Sequence, residues 1–236
     1  MFLGQVNPGN AGCERAGYAN AVTHGPRRGL LWTQLRESTR AAHAQAEASL
    51  GPLAQPDNLA QYAALLAVLW GFQAPLERWL DEQDLPSAVG WPDRQRLGAL
   101  AADLADLGVT GTSLPEAAGP GTAGWAGAPG PAGWAGPAGP GAVWGTLYVT
   151  EGATLGGRVL RRRIEARLGP VPARFLDGRG ARAQPMWRDL GLLADRYVQA
   201  GPDRQLAGKA ALGAFAAFGT WARNHGGRAS RAIRSG

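Results

Sequence analysis

The sequence predicts an all-α, single-domain protein, and three observations carry that reading. Apolar residues recur every three or four positions over six stretches, no stretch shows the sustained alternation of a half-buried strand, and Gly and Pro cluster between the periodic stretches. With 236 residues, 45% of them hydrophobic, the chain is long enough to enclose one sizeable core.

Residues 1–28 lack periodicity and read as a flexible N-terminal extension. They contain no charged start followed by an apolar run, and no later segment reads as long and apolar enough to span a bilayer, so the expectation is a cytoplasmic protein with no membrane partner. Cys13, the single cysteine, lies in this extension, which excludes an intrachain disulfide and a cysteine-based metal site.

The helical domain is expected over 29–225. Leu31, Leu35, Thr39, Ala42, Ala46 and Leu50 mark a first helix closed by Gly51 and Pro52. Asn58 can cap a second, with Leu59, Tyr62, Leu65, Leu66, Leu69 and Trp70 on its buried stripe. Pro75 is expected to kink or restart it before Leu76, Trp79 and Leu80. A third helix is predicted from Asp93 to Leu107, ended by Gly108.

Residues 111–142 read as a loop insertion, because AGWAGAPGP followed by AGWAGPAGP is too rich in Gly and Pro for a regular helix. Val143 to Leu168 reads as one long helix interrupted at Gly152, Gly156 and Gly157. Further helices are expected over 185–200 and 203–225, and 226–236 as a basic tail.

Of the net charge of +6, Arg15, Arg27 and Arg28 against Glu14, with Arg228, Arg231 and Arg234 of the tail, account for all but about +1. A core so nearly neutral, without a recognisable module, argues against a nucleic-acid partner. The charge is instead local: residues 36–106 are acid-rich, whereas 158–182 carry eight arginines against two acids. Arg158, Arg161, Arg162 and Arg163 fit a solvated face, a docking patch for an acidic partner, or contact with acidic groups of a ligand.

On the first helix, Arg36, Arg40, His43 and Glu47 are spaced by four, three and four residues and share one face. An imidazole suits iron, and a carboxylate one turn on can accept from the second ring nitrogen and fix its orientation. Arginines at the same rim suit acidic substituents of a ligand. Spacing alone favours a solvated face with incidental pairs. The wording LRESTRAAHAQAE, Leu35 to Glu47, resembles the proximal-helix signature of heme oxygenases, Leu-Lys/Arg-Glu-x-Thr-x-x-x-His-x-x-x-Glu.

The second signal is GTLYVTEGATLGGRVL, Gly145 to Leu160. Three glycines within six helical residues each cost about 1 kcal/mol relative to Ala, and a chain that keeps them gains a close approach of backbone to a flat ligand, or to another helix. The segment resembles the distal helix of bacterial heme oxygenases, particularly the Leu-Tyr-Val-x-Glu-Gly-x-x-Leu-Gly-Gly form of enzymes associated with bacteriophytochromes.

The resemblance implies heme held between a proximal and a kinked glycine-rich distal helix, with His43 as the ligand to iron, Glu47 as its partner, and Arg36 and Arg40 facing the propionates. It implies Gly152, Gly156 and Gly157 against the heme, Gly152 and Gly156 steering bound oxygen, and Phe215 on the pocket wall. The activity it implies is oxidative cleavage of heme to biliverdin, ferrous iron and carbon monoxide. That reaction takes O2 and electrons from a ferredoxin-like or NADPH-dependent reductase, and a bacteriophytochrome is a candidate receiver of the product.

One departure stands out: where many heme oxygenases carry an acidic residue after the first distal glycine, this chain has Ala153. Thr154 and Glu151 are the nearby candidates for a proton relay or for structural roles, and a non-catalytic heme carrier is the alternative that Ala153 keeps open. Phe218 reads as core, His225 as a cation at a helix C-terminus, and His24 as part of the extension.

Overall fold

The computed structural model describes residues 29–109, 114–117, 139–199 and 201–234, with side chains described as far as residue 227. The expectations placed on Cys13, His24 and most of the 111–142 insertion lie outside the described residues. Seven helices follow in order: α1 Leu30–Ala48, α2 Leu59–Asp81, α3 Leu97–Asp106, α4 Pro140–Leu168, α5 Arg174–Asp177, α6 Ala183–Tyr197 and α7 Gly201–Arg234. Short 3-10 turns lie between them, and no strand occurs among the described residues, so the fold is all-α as the periodicity predicts.

α1 begins on a borrowed cap. Gly29 offers no side chain to the orphan amides of the first turn, and Asp195 of α6 accepts from Leu30 N at 2.6 Å and Leu31 N at 2.8 Å. Leu31, Trp32, Leu35, Thr39 and Ala46 face inward.

α2 is buried on nearly every side and capped by Asn58, whose Oδ1 accepts from Gln61 N at 2.9 Å. By length and composition α2 could cross a membrane, which corrects the sequence reading that no segment could; in this fold most of its surface is covered by the other helices. Pro75 neither breaks nor restarts it. Proline lacks the N–H that would bond Gly71 O, and Ala117 N donates to that carbonyl instead, at 2.7 Å.

The third helix starts later than Asp93. Trp91–Arg94 is a 3-10 turn, and α3 begins at Leu97 because Glu77 of α2 accepts from Arg96 N at 2.9 Å and Leu97 N at 3.2 Å. α4 begins at Pro140, inside the stretch expected as insertion, and is helical without a break through Gly152, Gly156 and Gly157. Its first half lies tight on α7: a Cβ at Gly141 would fall 2.2 Å from Asp203 O, and one at Gly145 2.2 Å from Ala207 O. Ala207, Ala210, Ala211 and Ala214 complete this seam of small residues. α7 runs to Arg234, so the segment expected as a tail continues the helix.

Asp195→Ala strips two orphan amides of their acceptor, and a lost cap of this kind costs about 1 kcal/mol. Urea unfolding should show a lower midpoint for the variant with an unchanged slope; an unchanged midpoint would show that α1 does not depend on this cap.

Candidate functional site

α1 divides cleanly between a buried and an open face. Leu35, Thr39 and Ala46 are inside, while Arg36, Arg40, His43 and Glu47 form one exposed stripe, as their spacing predicts. The His43 side chain is 54% exposed, with Nε2 3.6 Å from Glu47 Oε1, close enough to pair electrostatically but too long for a hydrogen bond. Phe215 of α7 packs against the imidazole at right angles, ring centres 5.3 Å apart. Phe218, one turn on, packs on Phe72 of α2 in the core.

Across from α1, the glycines of α4 have different neighbours. A Cβ on Gly157 would fall 2.6 Å from Leu176 O, so Gly157 admits the α5 backbone. Gly152 faces the indole of Trp187, 3.3 Å from where its Cβ would be. Gly156, one turn further on the Gly152 face, meets nothing within 4 Å and leaves bare helix backbone open.

Between these surfaces stands an aromatic wall. Trp32 of α1, Tyr148 of α4 and Trp187 of α6 are mutually in contact, with ring centres 5.3 to 5.4 Å apart. Burial raises the Tyr148 phenol above its usual range, opposed by a hydrogen bond with Thr39 and by the Arg36 charge. His43 lies one turn beyond Thr39, and Gly152 one turn beyond Tyr148, so this contact joins the two helices just short of both.

Glu151, beside Gly152, is buried in a charged cluster. Arg94 Nη1 donates to its Oε2 at 2.6 Å, and Arg179 Nη1 pairs with the same carboxylate at 3.3 Å. Arg94 Nε also donates to Val89 O at 2.6 Å. Arg96, next to them, donates to Thr150 O at 3.0 Å and lies over the Phe175 ring at 4.4 Å; burial pushes its guanidinium down to about 10. Burial likewise lowers Arg179. Thr154 Oγ1 donates to Glu151 O at 2.6 Å. Both relay candidates of this stretch are therefore engaged in structural contacts.

The arginines of the second half of α4 are partly committed. Arg161 pairs with Glu165 and Asp177, both at 2.9 Å, and Arg158 reaches Gly180 O; Arg162 and Arg163 are exposed. His225 stacks on Trp221 at 3.6 Å, a packing role. A groove of about 740 Å3 lined by Gln45, Ala48, Leu50, Leu53, Ala222 and Gly226 opens at the C-terminal end of α1 and does not include His43. Among the described residues no cluster of His, Cys, Asp and Glu could hold a bare metal ion.

The sequence reading missed Trp32, Tyr148 and Trp187 as a wall, and Arg94, Arg96 and Arg179 as buried cations. Neither group carried a local signal, because its members lie on different segments distant in sequence.

Residues 30–224 match the sequence profile of the family described as heme oxygenase. A heme oxygenase from Neisseria meningitidis, solved with NO and CO bound, superimposes with a TM-score of 0.60, is 20% identical, and is matched over 84% of this chain and 92% of its own. Among curated protein sequences none matches.

Glu151→Ala leaves Arg94 and Arg179 buried without their carboxylate, a loss of the size that breaking a buried pair brings, about 3–5 kcal/mol. Chemical denaturation of the wild type and the variant should show it; a cost below about 1 kcal/mol, the range of an exposed ion pair, would show that the cluster is dispensable.

Proposed function

The chain belongs to the heme oxygenase family, and from that premise we propose that it binds heme through His43 and cleaves it oxidatively to biliverdin, releasing ferrous iron and carbon monoxide. The observation that carries this reading is the pairing of an open imidazole on α1 with the uncovered backbone of Gly156 on α4.

The residues fit the group. His43 offers a neutral nitrogen donor beside a carboxylate, and Phe215 supports the ring from α7. Arg36 and Arg40, exposed on the same stripe, are suitably charged to pair with two propionates. Gly156 leaves α4 backbone open to a flat ring, beside Gly152 with Trp187 packed on it, and Gly157 holds α4 against α5.

Bound heme supplies both the iron at which oxygen is activated and the porphyrin that is cut. The chain's part is to hold and screen it. Glu47, 3.6 Å from His43 Nε2, would help to orient the imidazole electrostatically. The bare backbone at Gly156 would leave room beside the group for oxygen, with no side chain to fill it. Trp187 and Tyr148 exclude water from that side. Proton delivery falls to solvent and backbone, because Ala153 has no proton to give and Glu151 and Thr154 are otherwise bonded.

Electrons come from a ferredoxin-like or NADPH-dependent reductase, for which exposed Arg162 and Arg163 are a fitting contact. The Leu147 to Gly157 wording supports delivery of biliverdin to a bacteriophytochrome in the cytoplasm. The engagement of Glu151 and Thr154 favours a second reading, a heme carrier without turnover. Heme, reductant and air separate the two: decay of the Soret band into a biliverdin spectrum supports the enzyme, and a stable Soret band the carrier.

Two substitutions test the site itself. His43→Ala should lose the imidazole-ligated spectrum and turnover together, and unchanged ligation would remove His43 from the proposal. Gly156→Leu should fold at least as stably, gaining up to about 1 kcal/mol of helix propensity, yet take up heme more weakly in a titration. Undiminished uptake would show that heme does not lie on the Gly156 face.

A further inference from the structure

Five aromatic rings run without a gap from Gly152 to the protein surface. Trp187 lies against the glycine and is 5.3 Å from Trp32; Trp32 is 6.5 Å from Trp144, which stacks on Tyr197 at 5.6 Å and an interplanar angle of 25°. Tyr148 touches both Trp32 and Trp187 and gives the inner half a second path. Trp32 and Trp144 are buried, whereas Tyr197 at the far end is 45% exposed.

We propose that this row is a relay for oxidising equivalents, passing electrons from Tyr197 inward to the heme face whenever peroxide reacts there without cutting the porphyrin. It rests on the reading that Gly152 borders bound heme.

Indole and phenol are among the side chains most easily oxidised by one electron, and rings in or near contact exchange electrons readily. Hydrogen peroxide needs two electrons and two protons to become two molecules of water. Each electron taken from Trp187 is replaced from Trp32, then Trp144, then Tyr197. The Tyr197 O–H bond breaks, its electron goes into the row and its proton to solvent, leaving a neutral phenoxyl. Two such events balance one peroxide, and a soluble thiol or ascorbate restores the phenol with one electron and one proton.

Two features distinguish the row from ordinary core packing. An oxidised indole is held in place when its N–H proton is taken by a neighbour. Trp91 Nε1 has such an acceptor in the Asp81 carboxylate at 2.7 Å. Trp32 Nε1 is buried with no partner among the described residues, so oxidation at Trp32 is not trapped and moves on. The phenol at the outer end stands in solvent, where its proton can leave.

The test uses the full chain loaded with heme, mixed with equimolar hydrogen peroxide, frozen, and read by electron paramagnetic resonance. Wild type should give a phenoxyl signal. Tyr197→Phe, which keeps the ring stacked on Trp144, should lose most of it while still forming biliverdin under reductant and air. Trp187→Phe, which keeps a ring beside Gly152, should also lose most of the signal per bound heme, with heme content read from the Soret band. A wild-type phenoxyl signal in either variant, or no protein radical in a wild type that shows the Soret band, overturns the relay. Failure to form a Soret band overturns the heme reading instead, and the relay with it.

Discussion

The buried carboxylate of Glu151 is the point on which the arrangement turns. A charge taken out of water is costly unless paired, and Glu151 is paired twice, by Arg94 ahead of α3 and by Arg179 behind α5. These arginines reach the middle of α4 from either side and hold it at the residue next to Gly152. The glycines that follow weaken α4 as a helix. Side-chain anchors from neighbouring segments compensate, so the helix stays formed where its own propensity is lowest and its backbone stays bare.

α1 is held on a similar plan, from its ends and its inner face. Asp195 fixes its first turn, Trp32 and Thr39 lock it to the aromatic wall, and Ser49 near its C-terminus bonds Arg223 of α7 at 2.9 Å. None of these contacts uses Arg36, Arg40, His43 or Glu47. The contacts that hold α1 therefore lie away from this exposed stripe, which can change with little effect on folding.

What was legible in the sequence was local. The His43 face could be read because its members lie three or four residues apart, a spacing that helix geometry maps directly onto one surface. The helices at 31–50 and 59–80 were legible for the same reason. A restart at Pro75 and a helix start at Asp93 do not occur because the deciding partners, Ala117 and Glu77, lie outside any local window. The glycines show the limit most clearly: Gly141 and Gly145 repeat the four-residue spacing of Gly152 and Gly156, yet the first pair meets α7 backbone and Gly156 meets open space. Arg94 is 57 residues from Glu151, so its role appears only in three dimensions.

The bond from Ala117 to the carbonyl that Pro75 leaves free has a consequence for how such a chain can diverge. It ties the backbone to α2 just before the Gly/Pro/Trp repeat, and at the far end the α7 contact of Gly141 secures the start of α4. These two moorings do not draw on the sequence between them. A nine-residue unit such as AGWAGAPGP can be added or removed between them without touching either contact, which makes the stretch between residues 117 and 139 a practical place for grafting a foreign module onto the protein.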